Sequence, residues 1–320
     1  MSKSIGLVGA RGYVGAEMLM LLGQHPEFKC VFACSSSQAG DLVQQHVPAA
    51  PDGLVFENLT PEEAAARKVD ALVLCLPDGH AAKWCPEFEG TDTVILDVSS
   101  DHRFTDDWTY GLTEHFRADI QGSTRISNPG CYATAGQLAL RPVVDDLAEA
   151  PHGFGISGYS GAGRTPSPRN DPEALADGVT PYKLVHHTHE REMSRHLGTS
   201  VRFSPHVAPF FRGITFTVQA KLQHETSEAE LLERAHAQYA SDPLVHVTEE
   251  MPRVQTMVDH DGAIVGGFSV NPERPNEVAV VCVIDNLRKG AAGQALQNLN
   301  LALGCDEALG LDPIWQESTA

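Results

Sequence analysis

The sequence has no long apolar run. Nowhere in its 320 residues is there a stretch near the ~20 apolar residues a membrane-spanning helix needs. The opening Met1-Ser2-Lys3-Ser4-Ile5-Gly6-Leu7-Val8-Gly9 does not read as a secretory signal, because its apolar run is short and broken by glycine. Cations are scarce, with 23 Lys and Arg against 42 Asp and Glu, a formal net charge of −19. So acidic a surface is repelled by nucleic acid and by anionic membranes, and neither is expected as a partner. An anionic small substrate remains possible where local arginines overcome that field. Paired cysteines are missing as well. Cys30, Cys34, Cys75, Cys85, Cys131, Cys282 and Cys305 are odd in number and scattered, with no C-x-x-C pair. That pattern predicts reduced thiols of a cytoplasmic protein, mostly in the core, with one left for special use.

What is present is an ordinary globular composition, 42% hydrophobic and 20% charged, in a length that suits one large or two ordinary domains. The first half alternates strand and helix. Ile5–Val8 is a short apolar run, Tyr13–Leu22 reads as a helix closed before Pro26, and Lys29–Ala33 is a second strand. Val69–Leu76 and Thr93–Val98 are continuous apolar runs of strand length, as expected of strands buried on both faces. This rhythm predicts a parallel, doubly wound sheet. After about residue 150 the pattern changes. Ile214–Leu222 alternates, with Phe216, Val218, Ala220 and Leu222 on one face and Thr215, Thr217, Gln219 and Lys221 on the other. That is a half-solvated antiparallel strand, and Glu277–Ile284 is its expected partner. Ser227–Ala240 reads as a helix with a capping box from Ser227 to Glu230. Ala292, Ala295, Leu296, Leu299 and Leu303 mark a long amphipathic helix between Gly290 and Gly304. The 160–182 stretch is an irregular loop, long enough to suggest function.

Five local patterns carry chemistry. Gly9-Ala10-Arg11-Gly12-Tyr13-Val14-Gly15 is a G-x-x-G-x-x-G turn between a strand and a helix, suited to a pyrophosphate or simply a tight turn. The second strand ends in Cys34-Ser35-Ser36-Ser37, without the acidic residue that usually holds a ribose 2′-hydroxyl. Hydroxyls there, with Arg11 near by, tolerate a 2′-phosphate and favour NADP over NAD; an ordinary polar loop after a strand is the alternative. Asn128-Pro129-Gly130 is a turn that sets Cys131 at a helix N-terminus, a position that exposes a sulfur and favours its thiolate. His186-His187-Thr188-His189-Glu190-Arg191-Glu192 opens a further helix. It supplies an acid/base for a thiol, with Glu192 three residues from His189 on one helical face; a solvated histidine patch is the alternative. His-x-His is also a metal spacing, but no nearby cluster supplies the remaining ligands, so no metal is expected. Arg103, Arg164 and Arg212 lie in Ser-, Gly- or Pro-rich turns, a setting suited to bidentate recognition of carboxylate or phosphate, though each taken singly reads as a surface residue.

Together these segments resemble the N-acetyl-gamma-glutamyl-phosphate reductases of arginine biosynthesis, relatives of the aspartate-semialdehyde dehydrogenases. The resemblance runs nearly end to end: GARGYVGAEML at 9–19, SNPGCYATA at 127–135, SGYSGAGR at 157–164, HHTHEREM at 186–193, SPHVAPFFRGI at 204–214 and DNLRKGAAGQALQNLN at 285–300. It implies a Rossmann-type α/β fold, doubly wound and parallel. Inserted in it would be an α+β domain on a mainly antiparallel sheet. The nucleotide domain would take residues 1–130 and 288–320, and the catalytic and dimerisation domain 131–287. The implied reaction is NADPH-dependent reduction of an acyl phosphate through a Cys131 thioester, by a cytoplasmic homo-oligomer, dimer or tetramer. His189 would be the acid/base, with His187, Glu192 and Asn128 in the same catalytic group. The cofactor would meet Gly9, Arg11, Gly12, Tyr13, Val14, Gly15, Ser35, Ser36, Ser37, Asn286 and Lys289. The substrate would meet Arg103, Ser160, Arg164, His206 and Arg212. Family members commonly carry Ser where this chain has Arg11, Arg within the loop of Ser35–Ser37, and Pro where Arg191 stands. The other readings are an aspartate-semialdehyde dehydrogenase and a nucleotide-sensing protein without catalysis.

Overall fold

A computed structural model describes residues 2–312. The chain divides into two compact units, one holding residues up to Gly130 together with Ala291–Leu311, the other Cys131–Gly290 with Asp312. The division after Gly290 falls three residues beyond the expected 287/288 boundary. Asp312 groups with the second unit, where Asp261 N–H donates to its carbonyl at 3.0 Å. The end of the expected segment, 313–320, lies outside the described residues.

The first unit is built on seven strands: β1 (Lys3–Val8), β2 (Phe28–Cys34), β3 (Phe56–Glu57), β4 (Ala71–Leu74), β5 (Val94–Asp97), β6 (Thr109–Tyr110) and β7 (Arg125–Ser127). Their order is β3-β2-β1-β4-β5-β7-β6, with every pairing parallel. The apolar runs predicted this. β4 and β5 are buried at every position, as central parallel strands must be. The chain turns from β1 to opposite sides at β2 and β4, so the switch point lies at the C-terminal end of β1, where the glycine turn begins. Helix Tyr13–Gln24 follows that turn and buries Met18, Leu19, Leu21 and Leu22.

Helix Gly293–Ala302 also belongs to this unit, but it is not amphipathic. Every residue from Gly293 to Leu301 is buried. The apolar positions lie as expected; the polar ones meet protein partners instead of water. Gln294 Nε2 donates to Thr113 Oγ1 at 2.9 Å, and Asn300 Nδ2 to Leu309 O at 2.9 Å. A π-turn at Arg288–Ala292 precedes the helix.

The second unit holds β8 (His152–Gly158), β9 (Thr180–Pro181), β10 (Arg202–Ala208), β11 (Ile214–Lys221), β12 (Val245–Val247), β13 (Ala263–Asn271) and β14 (Arg274–Ile284), in the order β12-β13-β14-β11-β8-β10-β9. The centre is antiparallel: β11 pairs with β14 from Ile214↔Ile284 to Lys221↔Glu277, the expected partnership. Two parallel pairings, β8 with β10 and β12 with β13, make the sheet mixed. One face packs on helices Cys131–Leu140, Thr188–Leu197 and Glu228–Gln238, around Tyr132, Met193, Phe203, Phe216 and Leu231. The Ser227–Glu230 capping box opens the last of these, as predicted. The other face carries Thr215, Thr217, Gln219 and Lys221. Among the described residues no helix is long and apolar enough to cross a membrane.

Candidate active site

In the first unit the glycine turn is shaped by contacts that a side chain would destroy. Gly9 has φ 79°, and a Cβ there would stand 2.2 Å from Cys75 O. A Cβ at Gly15 would stand 2.5 Å from Gly9 O. Gly12 precedes the helix without a side-chain cap, and its first turn holds no acidic residue. The positive end of the helix dipole therefore faces no competing protein anion from its own turn, which suits a phosphate. Arg11, Ser36 and Ser37 are exposed beside this edge, whereas Ser35 is buried and its N–H donates to Glu57 O at 2.9 Å. A carboxylate does stand on the neighbouring strand, at Glu57. Glu57 pairs in register with Cys34, and its carboxylate is held by Arg67 at 2.6 Å.

The same unit fixes the turn that leads to Cys131. Asn128 is wholly buried. Its N–H donates to Asp97 O at 2.7 Å, its carbonyl accepts from Arg103 Nε at 2.8 Å, and its amide contacts Ala291 O at 3.2 Å and Asn298 at 3.0 Å. Asn298 in turn donates to Gly111 O and accepts from Thr113. Asn128 and Arg103, expected at the reaction and at the substrate, thus use these groups to hold the backbone. Arg103 is buried and also donates to Val98 O at 2.8 Å.

In the second unit Cys131 is the first residue of helix Cys131–Leu140 and is partly exposed. Helix Thr188–Leu197 packs on it. The register of that packing follows from two contacts. Met193 sits against Gly136, where a Cβ would lie 2.3 Å from its sulfur. One turn earlier in each helix, the rings of His189 and Tyr132 are 5.8 Å apart. Both helices therefore begin at the same end, and His189 and Cys131 share it. His187 plays another part. It is the N-cap of the histidine helix: its Nδ1 accepts from His189 N–H at 3.2 Å. It is buried against Tyr182 and Phe203, and burial, then His189 and Lys183, push its imidazole down to about 3. A neutral ring is what a cap acceptor requires, so His187 orients the helix that carries His189. Glu192 is wholly buried on that helix. Lys183 and His186, with φ 43° and 57°, bend the chain into the cap. Arg191 makes an ordinary helical bond to His187 O at 3.2 Å, so its replacement of Pro leaves the helix intact.

The remaining expected residues divide. Asn286 and Ser160 are buried together, Asn286 Nδ2 donating to Ser160 Oγ at 2.9 Å while its Oδ1 accepts from Gly213 N–H at 2.6 Å. Arg212 does form a two-toothed fork, but on protein: Nε and Nη2 reach the carboxylate of wholly buried Asp285 at 2.6 and 3.2 Å, and Nη1 reaches Asp259 at 2.5 Å. Asp285 also accepts from Leu287 N–H at 2.8 Å and so anchors the turn ending at Gly290. Lys289 in that turn is wholly buried. His206 lies on β10, where Phe203 faces the helices and alternation turns His206 to the opposite face, beside Phe154. Its carbonyl, not its ring, reaches the cysteine helix by accepting from Tyr132 Oη at 2.5 Å. Arg164 is exposed in the 160–182 loop. That loop also contributes two residues the motifs did not mark: Tyr182, whose hydroxyl is made less acidic by burial and by Cys131, and Arg169, 5.1 Å above the Tyr182 ring. The loop's length was the available signal.

Two family models cover most of the chain: a semialdehyde dehydrogenase NAD-binding domain over residues 4–123 and a semialdehyde dehydrogenase dimerisation domain over 131–286. An N-acetyl-gamma-glutamyl-phosphate reductase of Stenotrophomonas maltophilia is 48% identical over 306 residues, 95% of this chain and 96% of the relative. One from Xanthomonas oryzae is 46% identical over 96% of this chain and 97% of its own. The chain belongs to the N-acetyl-gamma-glutamyl-phosphate reductase family. The family's wider fold is visible in solved structures. Aspartate semialdehyde dehydrogenase II from Vibrio cholerae superposes with a TM-score of 0.78 at 19% identity, over 95% of this chain and 99% of that one. The Candida albicans aspartate semialdehyde dehydrogenase with NADP gives 0.70 at 16% identity, over 94% and 98%. At those identities the likeness shows the fold. The family accounts for a nicotinamide-nucleotide domain and makes this chain an oxidoreductase.

Proposed function

We propose that the chain reduces N-acetyl-gamma-glutamyl phosphate to N-acetylglutamate 5-semialdehyde and phosphate in arginine biosynthesis, with NADPH as reductant. The observation that carries this reading is the placement of Cys131 and His189 at the common start of two packed helices, in a chain of this family. The Cys131 thiolate attacks the acyl carbonyl, the bond from carbon to the phosphate oxygen breaks, and phosphate leaves a thioester. N–H groups at the start of helix Cys131–Leu140 stabilise the oxyanion. The reduced nicotinamide, when bound, supplies the hydride. His189, having taken the Cys131 thiol proton before the attack, gives it to the alkoxide left by hydride addition, takes it back as the carbon–sulfur bond breaks to release the aldehyde, and returns it to the sulfur. His187 and Asn128 hold the two helix starts. The glycine turn would hold the pyrophosphate, with Arg11, Ser36 and Ser37 at the 2′-phosphate. Arg164 and Arg169 are the arginines of the 160–182 loop offered to the substrate's charges, since the Arg212 fork is committed to Asp285. The dimerisation-domain match supports a homo-oligomer, and the biosynthetic role a cytoplasmic location.

The test is phosphate-dependent reduction of NADP with N-acetylglutamate semialdehyde, run beside aspartate semialdehyde. Turnover of the first at least about 100-fold more efficient supports the reading. A preference for the second assigns the aspartate-semialdehyde reaction, and no turnover of either, with NADP bound, assigns a nucleotide-sensing protein.

A further inference from the structure

The first unit contains a cysteine, a histidine and a carboxylate in line, and none of these side chains is used above. Cys85 opens the short turn Cys85–Phe88 and is partly exposed. Its sulfur donates to Ala81 O at 3.5 Å and lies 4.0 Å from Nε2 of His102. The other ring nitrogen, Nδ1, is 2.7 Å from Oδ2 of Asp97, which is wholly buried at the end of β5. Asp97 is itself fixed, accepting from Ser99 N–H at 2.8 Å and from Ser99 Oγ at 3.0 Å. The imidazole plane is set by stacking on Trp108, with centroids 3.8 Å and planes 14° apart. Asp97 therefore holds the ring by Nδ1–H and turns Nε2 to the sulfur, the relation of carboxylate, imidazole and nucleophile that activates a weak nucleophile elsewhere.

We propose that Cys85, His102 and Asp97 form a second activated thiol, a modification site for peroxides and soft alkylating electrophiles. Burial opposes charge on the His102 ring, but the hydrogen bonds to Asp97 and Cys85 outweigh it and push the imidazole up to about 9. A protonated ring thus faces the sulfur at neutral pH. With hydrogen peroxide the sulfur attacks one oxygen, a sulfur–oxygen bond forms and the oxygen–oxygen bond breaks. The departing hydroxide takes the His102 proton and leaves as water, and His102 takes up the proton that the sulfur sheds. Cys85 is oxidised to the sulfenic acid and the peroxide is reduced. Cys305 is the internal control. It is also partly exposed, but burial and the neighbouring Glu27 carboxylate, 3.5 Å away, hold its thiol up.

The experiment treats the folded full-length chain with limiting hydrogen peroxide in the presence of dimedone and quantifies adducts by peptide mass spectrometry. Cys85 should be labelled about tenfold or more faster than Cys305, and iodoacetamide at neutral pH should show the same order. His102→Phe, which keeps a ring on Trp108, should slow Cys85 about tenfold and leave Cys305 unchanged. Equal labelling of the two cysteines in the unaltered protein overturns the proposal, as does unchanged Cys85 labelling in folded His102→Phe. The ratio in the unaltered protein decides by itself if that variant does not fold.

Discussion

Replacing Gly290 with alanine adds one methyl group against Cys131. An ideal Cβ at 290 would stand 2.7 Å from Cys131 Cβ and 3.3 Å from both Cys131 Cα and Asp285 O. Carbon atoms meet comfortably at about 3.5–4.0 Å, so the site is short by roughly 1 Å. None of the three atoms is the end of a flexible side chain. Cys131 is set in the first turn of its helix, and the Asp285 carbonyl already accepts from Gly290 N–H at 2.9 Å. The strain therefore moves the helix start or the 285–290 turn. Overpacking of this kind destabilises by about 1–3 kcal/mol, and displacing a reacting atom by about 1 Å lowers turnover on the order of 100-fold. Gly290→Ala should fold, with a Tm lower by under about ten degrees, while kcat falls roughly 30- to 100-fold. Steady-state kinetics, thermal unfolding and the iodoacetamide labelling rate of Cys131 read the three quantities. A folded Gly290→Ala with kcat within about twofold of the parent would refute the geometric argument.

Three further outcomes follow from the same structure. NADPH should be preferred to NADH by at least about tenfold in kcat/KM, and Arg11→Ala should weaken NADPH while sparing NADH; equal efficiency with both cofactors contradicts this, despite Glu57 at the strand edge. His187 is depressed from 6.5 to about 3. The unfolded chain therefore binds more protons between those values, and stability should fall as pH drops through that window. His187→Asn, which keeps the cap acceptor, should flatten the dependence of Tm on pH there; parallel profiles would contradict it. His102 contributes in the opposite sense, its share being full below 6.5 and lost as pH rises through about 9. Asn298→Ala leaves Gly111 O, Thr113 Oγ1 and Asn128 Oδ1 buried without this partner. The loss should be about 3–5 kcal/mol in denaturant unfolding, and one below about 1 kcal/mol would contradict it.

Elements written in neighbouring residues were legible in the sequence. β4, β11, the glycine turn and the Ser227–Glu230 cap rest on periodicity or short spacing, and each stands within a few residues of its expected place. The parallel sheet and the β11–β14 pairing followed from strand character alone. Residues whose partners are distant in sequence were not legible. Arg212 sits in a turn suited to an anion, but its anion is Asp285, 73 residues away. Gln294 and Asn298 look like the wet face of a helix until Thr113 and Asn128, more than a hundred residues earlier, fill that side. His187 and His189 look equivalent in the motif; burial and the cap separate them. Likewise Glu57 reaches the end of β2 only through sheet pairing, and Tyr182 reaches Cys131 only through the path of the 160–182 loop.

The proposed mechanism stands on Cys131 carrying the acyl group. Incubating the protein with N-acetyl-gamma-glutamyl phosphate in the absence of NADPH, quenching in acid and mapping peptides would show it directly. One N-acetylglutamyl adduct is expected, on the peptide containing Cys131. The adduct should be labile to hydroxylamine, discharged by NADPH and absent from Cys131→Ala. An adduct on another residue, or full turnover by Cys131→Ala, would contradict it.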